Sequence, residues 1–126
     1  RRPCGGEPAV TALWVALGAL AGAPLRLLAD RVATARRGPG SVLGTLTVNV
    51  LGSAVLGVLL GRSDVSPAVL ALVGTGFCGT LTTFSTFGWD VVRLVEERAV
   101  LRALGYVTAS LLLGLGAAAA GFLLSR

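Results

Sequence analysis

Uncharged, mostly apolar residues fall into four long runs, Pro8–Leu25, Ser41–Gly61, Val65–Trp89 and Ala103–Ser125. The charges are gathered between them, at Arg1, Arg2 and Glu7, from Arg26 to Arg37, at Arg62 and Asp64, from Asp90 to Arg102, and at Arg126. Each run is close to the roughly 20 residues that an α-helix needs to cross a bilayer core. Lipid cannot hydrogen-bond an open strand edge, so helices are the element that fits. The pattern predicts an all-α integral membrane protein with four transmembrane helices, over approximately 8–29, 41–61, 66–90 and 102–124. The first run is longer than the apolar region of a cleavable signal peptide, and three more spans follow it. Short connections at Asp30–Gly40, Arg62–Asp64 and Asp90–Arg102 make residues 1–126 a single four-helix domain without linker or internal repeat.

Composition agrees with the pattern. Hydrophobic residues make up 54% of the chain and charged residues 13%, against about 25% charged in soluble domains. Mean hydropathy is +0.82. The net charge of +5 does not indicate nucleic acid. Every basic residue is Arg, placed singly or in pairs at span ends, where lipid headgroups account for it. With no His, imidazole catalysis and His-ligated metals are excluded, and no nucleophile, base or metal cluster assembles into an enzyme site. Cys4 falls in an expected disordered tail over residues 1–7 and Cys78 falls mid-membrane, so the two are not expected to pair. As the chain contains no Met, its true start is expected to lie outside this numbering.

Four short helices enclose little space, and a homo-oligomer, most simply a dimer, would remedy that. The 18 glycines include Gly18/Gly22 and Gly57/Gly61, at the four-residue spacing that lets helix backbones touch. Either pair suits packing within one chain or a subunit interface. The arginine tally mildly favours a cytoplasmic location for segments 30–40 and 90–102, and is weak enough to be compatible with insertion in both orientations.

Polar groups within a span are costly and need a partner or a function. Arg26 ends span one, either snorkelling to headgroups or drawing anions to a pore mouth. Asn49, in the middle of span two, is either interhelical glue or a pair of N–H donors for a dehydrated anion. Span three carries three Gly and five Thr in residues 74–87. These are poor helix formers, and a break is predicted around Gly79–Thr82. Broken backbone at membrane depth is tolerated only where it is buried in protein or lines an aqueous cavity, and its freed carbonyls suit a small cation such as Na⁺. Phe84 and Phe87 share a helix face, serving either packing or the presentation of positive ring edges to an anion. Tyr106 and Ser110 share a face of span four, with Thr108 offset from them.

Together these residues resemble the Fluc, or CrcB, family of fluoride channels. The resemblance runs from about Pro8 to near the C-terminus. It is carried by the Gly-rich approach to Arg26, by Gly44-Thr45-Leu46-Thr47-Val48-Asn49, and by the run from Gly76 to Phe87. It implies a dual-topology antiparallel homodimer in the cell membrane, with two fluoride pores along the interface. By position, Asn49, Phe84, Phe87, Ser85, Thr86, Tyr106 and Ser110 belong to the pore and Arg26 to its vestibule. The backbone carbonyls of Gly79 and Thr82 from both subunits would hold a structural Na⁺ at the dimer centre. Two positions depart from the pattern. Thr80 stands where the break usually has a second Gly, and Gly114 stands where a further hydroxyl is expected. Some members assemble as heterodimers of paired homologues. The expected function is passive, fluoride-selective export that lowers cytosolic fluoride. The alternatives are a small multidrug-type proton-coupled exporter and a non-conducting partner subunit. The exporter needs a carboxylate inside the membrane, and no Asp or Glu is expected inside any span.

Overall fold

A computed structural model describes residues 8–126; the expectations attached to residues 1–7, Cys4 among them, lie outside the described residues. Four helical stretches are long and apolar enough to cross a bilayer, and the described residues contain no strand. The first helix runs over Pro8–Arg37, a length of about 45 Å against a core of about 30 Å. It therefore continues past the predicted end of span one. Arg36 and Arg37 occupy its last turn, where positive charge meets the negative end of the helix dipole. Gly38 and Gly40 then turn the chain at φ of 90° and 82°, a left-handed backbone open to glycine at no steric cost.

The second helix spans Leu43–Gly61. In the turn that follows, Arg62 lies 2.8 Å from Asp64, and its hydrogen bond holds the Asp64 carboxyl below the ordinary carboxylate range. Ser66 caps span three by accepting the Val69 N–H at 3.2 Å, with Pro67 at the first helical position.

Span three is built in pieces. A single α-turn at Pro67–Val69 leads into a π-helical stretch at Leu70–Cys78, and another α-turn covers Gly79–Leu81. Thr82 and Thr83 are extended, at φ/ψ of −78°/151° and −148°/120°. A new helix then runs over Phe84–Glu96. The break sits at Thr82–Thr83, at the far edge of the predicted segment, and Gly79 stays helical. The last helix, Val100–Ser125, follows a reversal in which Arg98 adopts a φ of 60°.

Glycines set the packing. The first helix lies along the proximal half of span three, and the second along the last helix. A Cβ on Gly18 would overlap the Leu72 carbonyl, and one on Gly76 would overlap the Val15 carbonyl. Likewise Gly57 abuts the Ala118 carbonyl and Gly61 the Phe122 carbonyl. Both glycine pairs are thus used within the chain, and of the two readings the intrachain one describes them.

Candidate functional site: two cavities around a broken helix

The break is held by one side chain. Asn49, in the middle of the second helix, accepts the Thr83 N–H through Oδ1 at 2.8 Å and donates from Nδ2 to the Thr83 carbonyl at 3.3 Å. In an unbroken helix the Thr83 N–H would go to the Gly79 carbonyl. Asn49 diverts it, and this is the physical reason that the helix stops here and not at the preceding glycine. One Nδ2 hydrogen of Asn49 is left for another acceptor. Thr83 then starts the distal helix, its Oγ1 accepting the Thr86 N–H at 3.2 Å and donating to Thr86 Oγ1 at 3.1 Å. Ser85 Oγ lies 3.3 Å from the same hydroxyl.

Two cavities flank this clasp, and Thr83 lines both. The first, of about 390 Å³, brings together Asn49, Gly79, Thr82, Phe84, Phe87 and Ser110 from three spans. Ser53 and Cys78 also line it, and none of its lining residues is charged. Ser110 Oγ is buried with no hydrogen-bond partner among the described residues. The Phe84 and Phe87 rings are tilted with centroids 6.1 Å apart, and Phe87 is 5.1 Å from the Tyr106 ring. Phe84 is 85% exposed, so nothing among the described residues covers the cavity on that side. Tyr106 is buried behind Phe87 and does not line the cavity.

The second cavity, of about 320 Å³, is polar in a different way. It lies between the first helix, the second helix and the break, and is lined by Arg26, Asp30, Thr45 and Thr86 among others. Arg26 and Thr86 are therefore separated from the other expected pore residues by the Asn49–Thr83 clasp. Ser85 is exposed and lines neither cavity.

Asp90, at the expected end of span three, lies within a helix that continues to Glu96 and is 8% exposed. Tyr106 donates its hydroxyl to Asp90 Oδ2 at 3.3 Å, and Arg93, one turn on, is 3.5 Å from Oδ1. These partners let the helix continue past the predicted span end at residue 90, so the last connection narrows to residues 97–99. Arg93 also donates to the Gly40 carbonyl at 2.8 Å, pinning the first connection to the distal helix. Asp30 likewise falls inside the first helix.

The sequence reading passed over Thr83, Thr45, Ser53 and Asp90. For Thr83 a signal existed, since Thr immediately before a helical run is a favoured N-cap. For Asp90 the i,i+3 spacing to Arg93 was a partial signal, while its tyrosine partner, 16 residues away, was not legible.

A family model described as CrcB-like protein, Camphor Resistance (CrcB), matches residues 13–122. The Nocardia farcinica protein named fluoride-specific ion channel FluC 1 is 53% identical over 103 residues, covering 82% of this chain and 72% of its own. The proteins of the same name from Frankia casuarinae and Geobacillus kaustophilus are 44% and 45% identical, covering 90% of this chain in each case and 95% and 97% of their own. With a matched model across nearly all of the four spans and relatives this similar along most of their length, the chain belongs to the CrcB-like family.

Proposed function

We propose that this protein is a fluoride-selective channel that exports fluoride passively. It is a multi-pass protein of the cell membrane and not an enzyme. The observation that carries the reading is the lining of the first cavity: an amide, a buried hydroxyl without a partner and two phenylalanine rings, with no charge among them. Fluoride is small and strongly hydrated, so a pore must replace its water with donors. Asn49 Nδ2, the Ser110 hydroxyl and the positive ring edges of Phe84 and Phe87 are donors of that kind. Each contact is weak enough alone to release the ion, as conduction requires. Arg26 beside the second cavity attracts anions toward the clasp, where the Thr86 hydroxyl is available, with Ser85 on the adjoining surface.

Direction needs no energy source within the protein. Fluoride that enters as the neutral acid ionises and is trapped, and an inside-negative potential drives the anion out at about 2.3 kcal/mol per charge per 100 mV. Asp90 does not revive the proton-coupled exporter, since its carboxylate is paired with Arg93 and Tyr106 at the arginine-rich end of the molecule.

A second, antiparallel copy completes the site in this reading. An open cavity with an unpartnered hydroxyl is costly against lipid. A partner seated over Phe84 closes it and gives two pores along one interface. Gly79 favours the approach, as a Cβ there would meet nothing among the described residues. The same place fits a structural Na⁺. Asn49 has diverted the Thr83 N–H from the Gly79 carbonyl, and Thr82 has left the helix, so both carbonyls are hard oxygen ligands available at the break. When bound, the ion supplies a positive charge that ties the two breaks together.

Passive efflux from liposomes holding only this chain tests the proposal, with fluoride and chloride followed side by side. Fluoride release without chloride release is expected. Proton-coupled efflux of an organic cation would favour the exporter. Flux only after co-expression with a paired homologue would make the chain half of a heterodimer.

A further inference from the structure

We propose that the groove between the first two helices, on the side away from the pore cavity, is a binding site for an anionic phospholipid. The groove encloses about 380 Å³. Leu25, Leu28, Ala29, Val32, Ala33 and Arg36 line it from the first helix, at the i, i+3, i+4, i+7, i+8, i+11 spacing of a single helix face. Leu43, Gly44 and Thr47 form the opposite wall, and Arg37 joins Arg36 at the mouth. Thr47 and Asn49 are two residues apart on the second helix, about 200° around its axis. The groove therefore faces away from the cavity that Asn49 lines.

Length, shape and charge select a lipid. From Leu25 to Arg36 the stripe rises about 16 Å, long enough to seat most of an extended acyl chain. Its floor is made small by Ala29, Ala33 and Gly44, while Leu28 and Val32 remain 57% and 43% exposed as its rim. An acyl chain fits that form. No acidic residue lines the groove, and among the described residues neither Arg36 nor Arg37 makes an ion pair. Two guanidiniums at the mouth of an apolar slot suit a phosphate whose headgroup carries no cation of its own. A zwitterionic lipid brings an ammonium against the same two arginines.

The test is native mass spectrometry of the purified channel titrated with phosphatidylglycerol or with phosphatidylcholine of the same chains. Three forms are compared: wild type, Arg36→Gln/Arg37→Gln, and Val32→Trp, whose indole fills the slot. Size-exclusion chromatography and fluoride efflux check that each remains assembled and conducting, so the outcome is read apart from the channel assignment. Wild type is expected to prefer phosphatidylglycerol. The double arginine variant should bind it about tenfold more weakly, and Val32→Trp should lose the bound lipid while efflux persists. Equal binding of the two lipids, or undiminished phosphatidylglycerol binding in either variant, would overturn the proposal. A Val32→Trp channel that falls apart into single chains while still binding phosphatidylglycerol would put a second copy in the groove, and would also overturn it.

Discussion

The two halves of span three are fixed by opposite means. The proximal half, residues 67–81, is held by backbone against backbone: Gly76 faces the Val15 carbonyl, and Gly18 and Gly22 admit the Leu72 and Phe77 carbonyls. The distal half, Phe84–Glu96, is held by side chains at a few points. Asn49 grips its entrance, Tyr106 reaches Asp90, and Arg93 reaches Gly40. Close-packed backbone tolerates no added atom, whereas a polar contact can be removed singly and leaves the rest in place. In the proposed channel the proximal half is the scaffold, and the distal half carries Phe84 and Phe87, the two rings proposed to meet the ion. Hinging the two at an asparagine clasp lets one span serve both purposes.

Substitutions separate the two regimes. Gly76→Val forces a side chain into the Val15 carbonyl, and overpacking of this kind costs about 3 kcal/mol. Its expected outcome is loss of the folded channel, read by size-exclusion chromatography in detergent. Asn49→Ala is next. It removes both bonds to Thr83 and leaves a buried N–H and carbonyl unpaired, at a cost of about 2 kcal/mol. Assembled protein with fluoride efflux near background is expected. Tyr106→Phe keeps the ring against Phe87 and removes only the donor to Asp90. Its destabilisation should be about 1 kcal/mol or less, seen as a small drop in the thermal midpoint. The smallest effect belongs to the turn outside both halves. Asp64 titrates below its ordinary range because Arg62 binds the charged form, so the contact is present above the ordinary carboxylate pKa and lost as pH falls through the lowered one. The pair is solvent-exposed, and Asp64→Asn should leave the thermal midpoint unchanged at pH 7.

The contrast also explains what was legible in the sequence. Four spans could be read because charge and hydropathy are local properties of the chain. The break could be read to within a few residues, since Gly and Thr weaken a helix wherever it packs. Its placement at Thr82–Thr83 depends on Asn49, which is 34 residues away, and no local pattern carries that information. The π-helical stretch at Leu70–Cys78 was equally hidden, as it accompanies the glycine contacts with the first helix. The continuation of the helix beyond Asp90 was hidden because a charge reads as the end of a span until its partners are known. The candidate residues were named together, yet only the structure divides them between two cavities, with Tyr106 behind the first and Ser85 outside both.

The central claim is that fluoride passes along the cavity bordered by Phe84, Phe87, Asn49 and Ser110. Fluoride efflux from liposomes containing Phe84→Ile or Phe87→Ile, each first shown to assemble as wild type does, tests it most directly. Substituting Ile keeps an apolar side chain in place and removes only the ring edge. Efflux reduced about tenfold or more from an intact assembly is the result this account requires. Wild-type efflux from both variants would contradict it and return the two rings to a packing role.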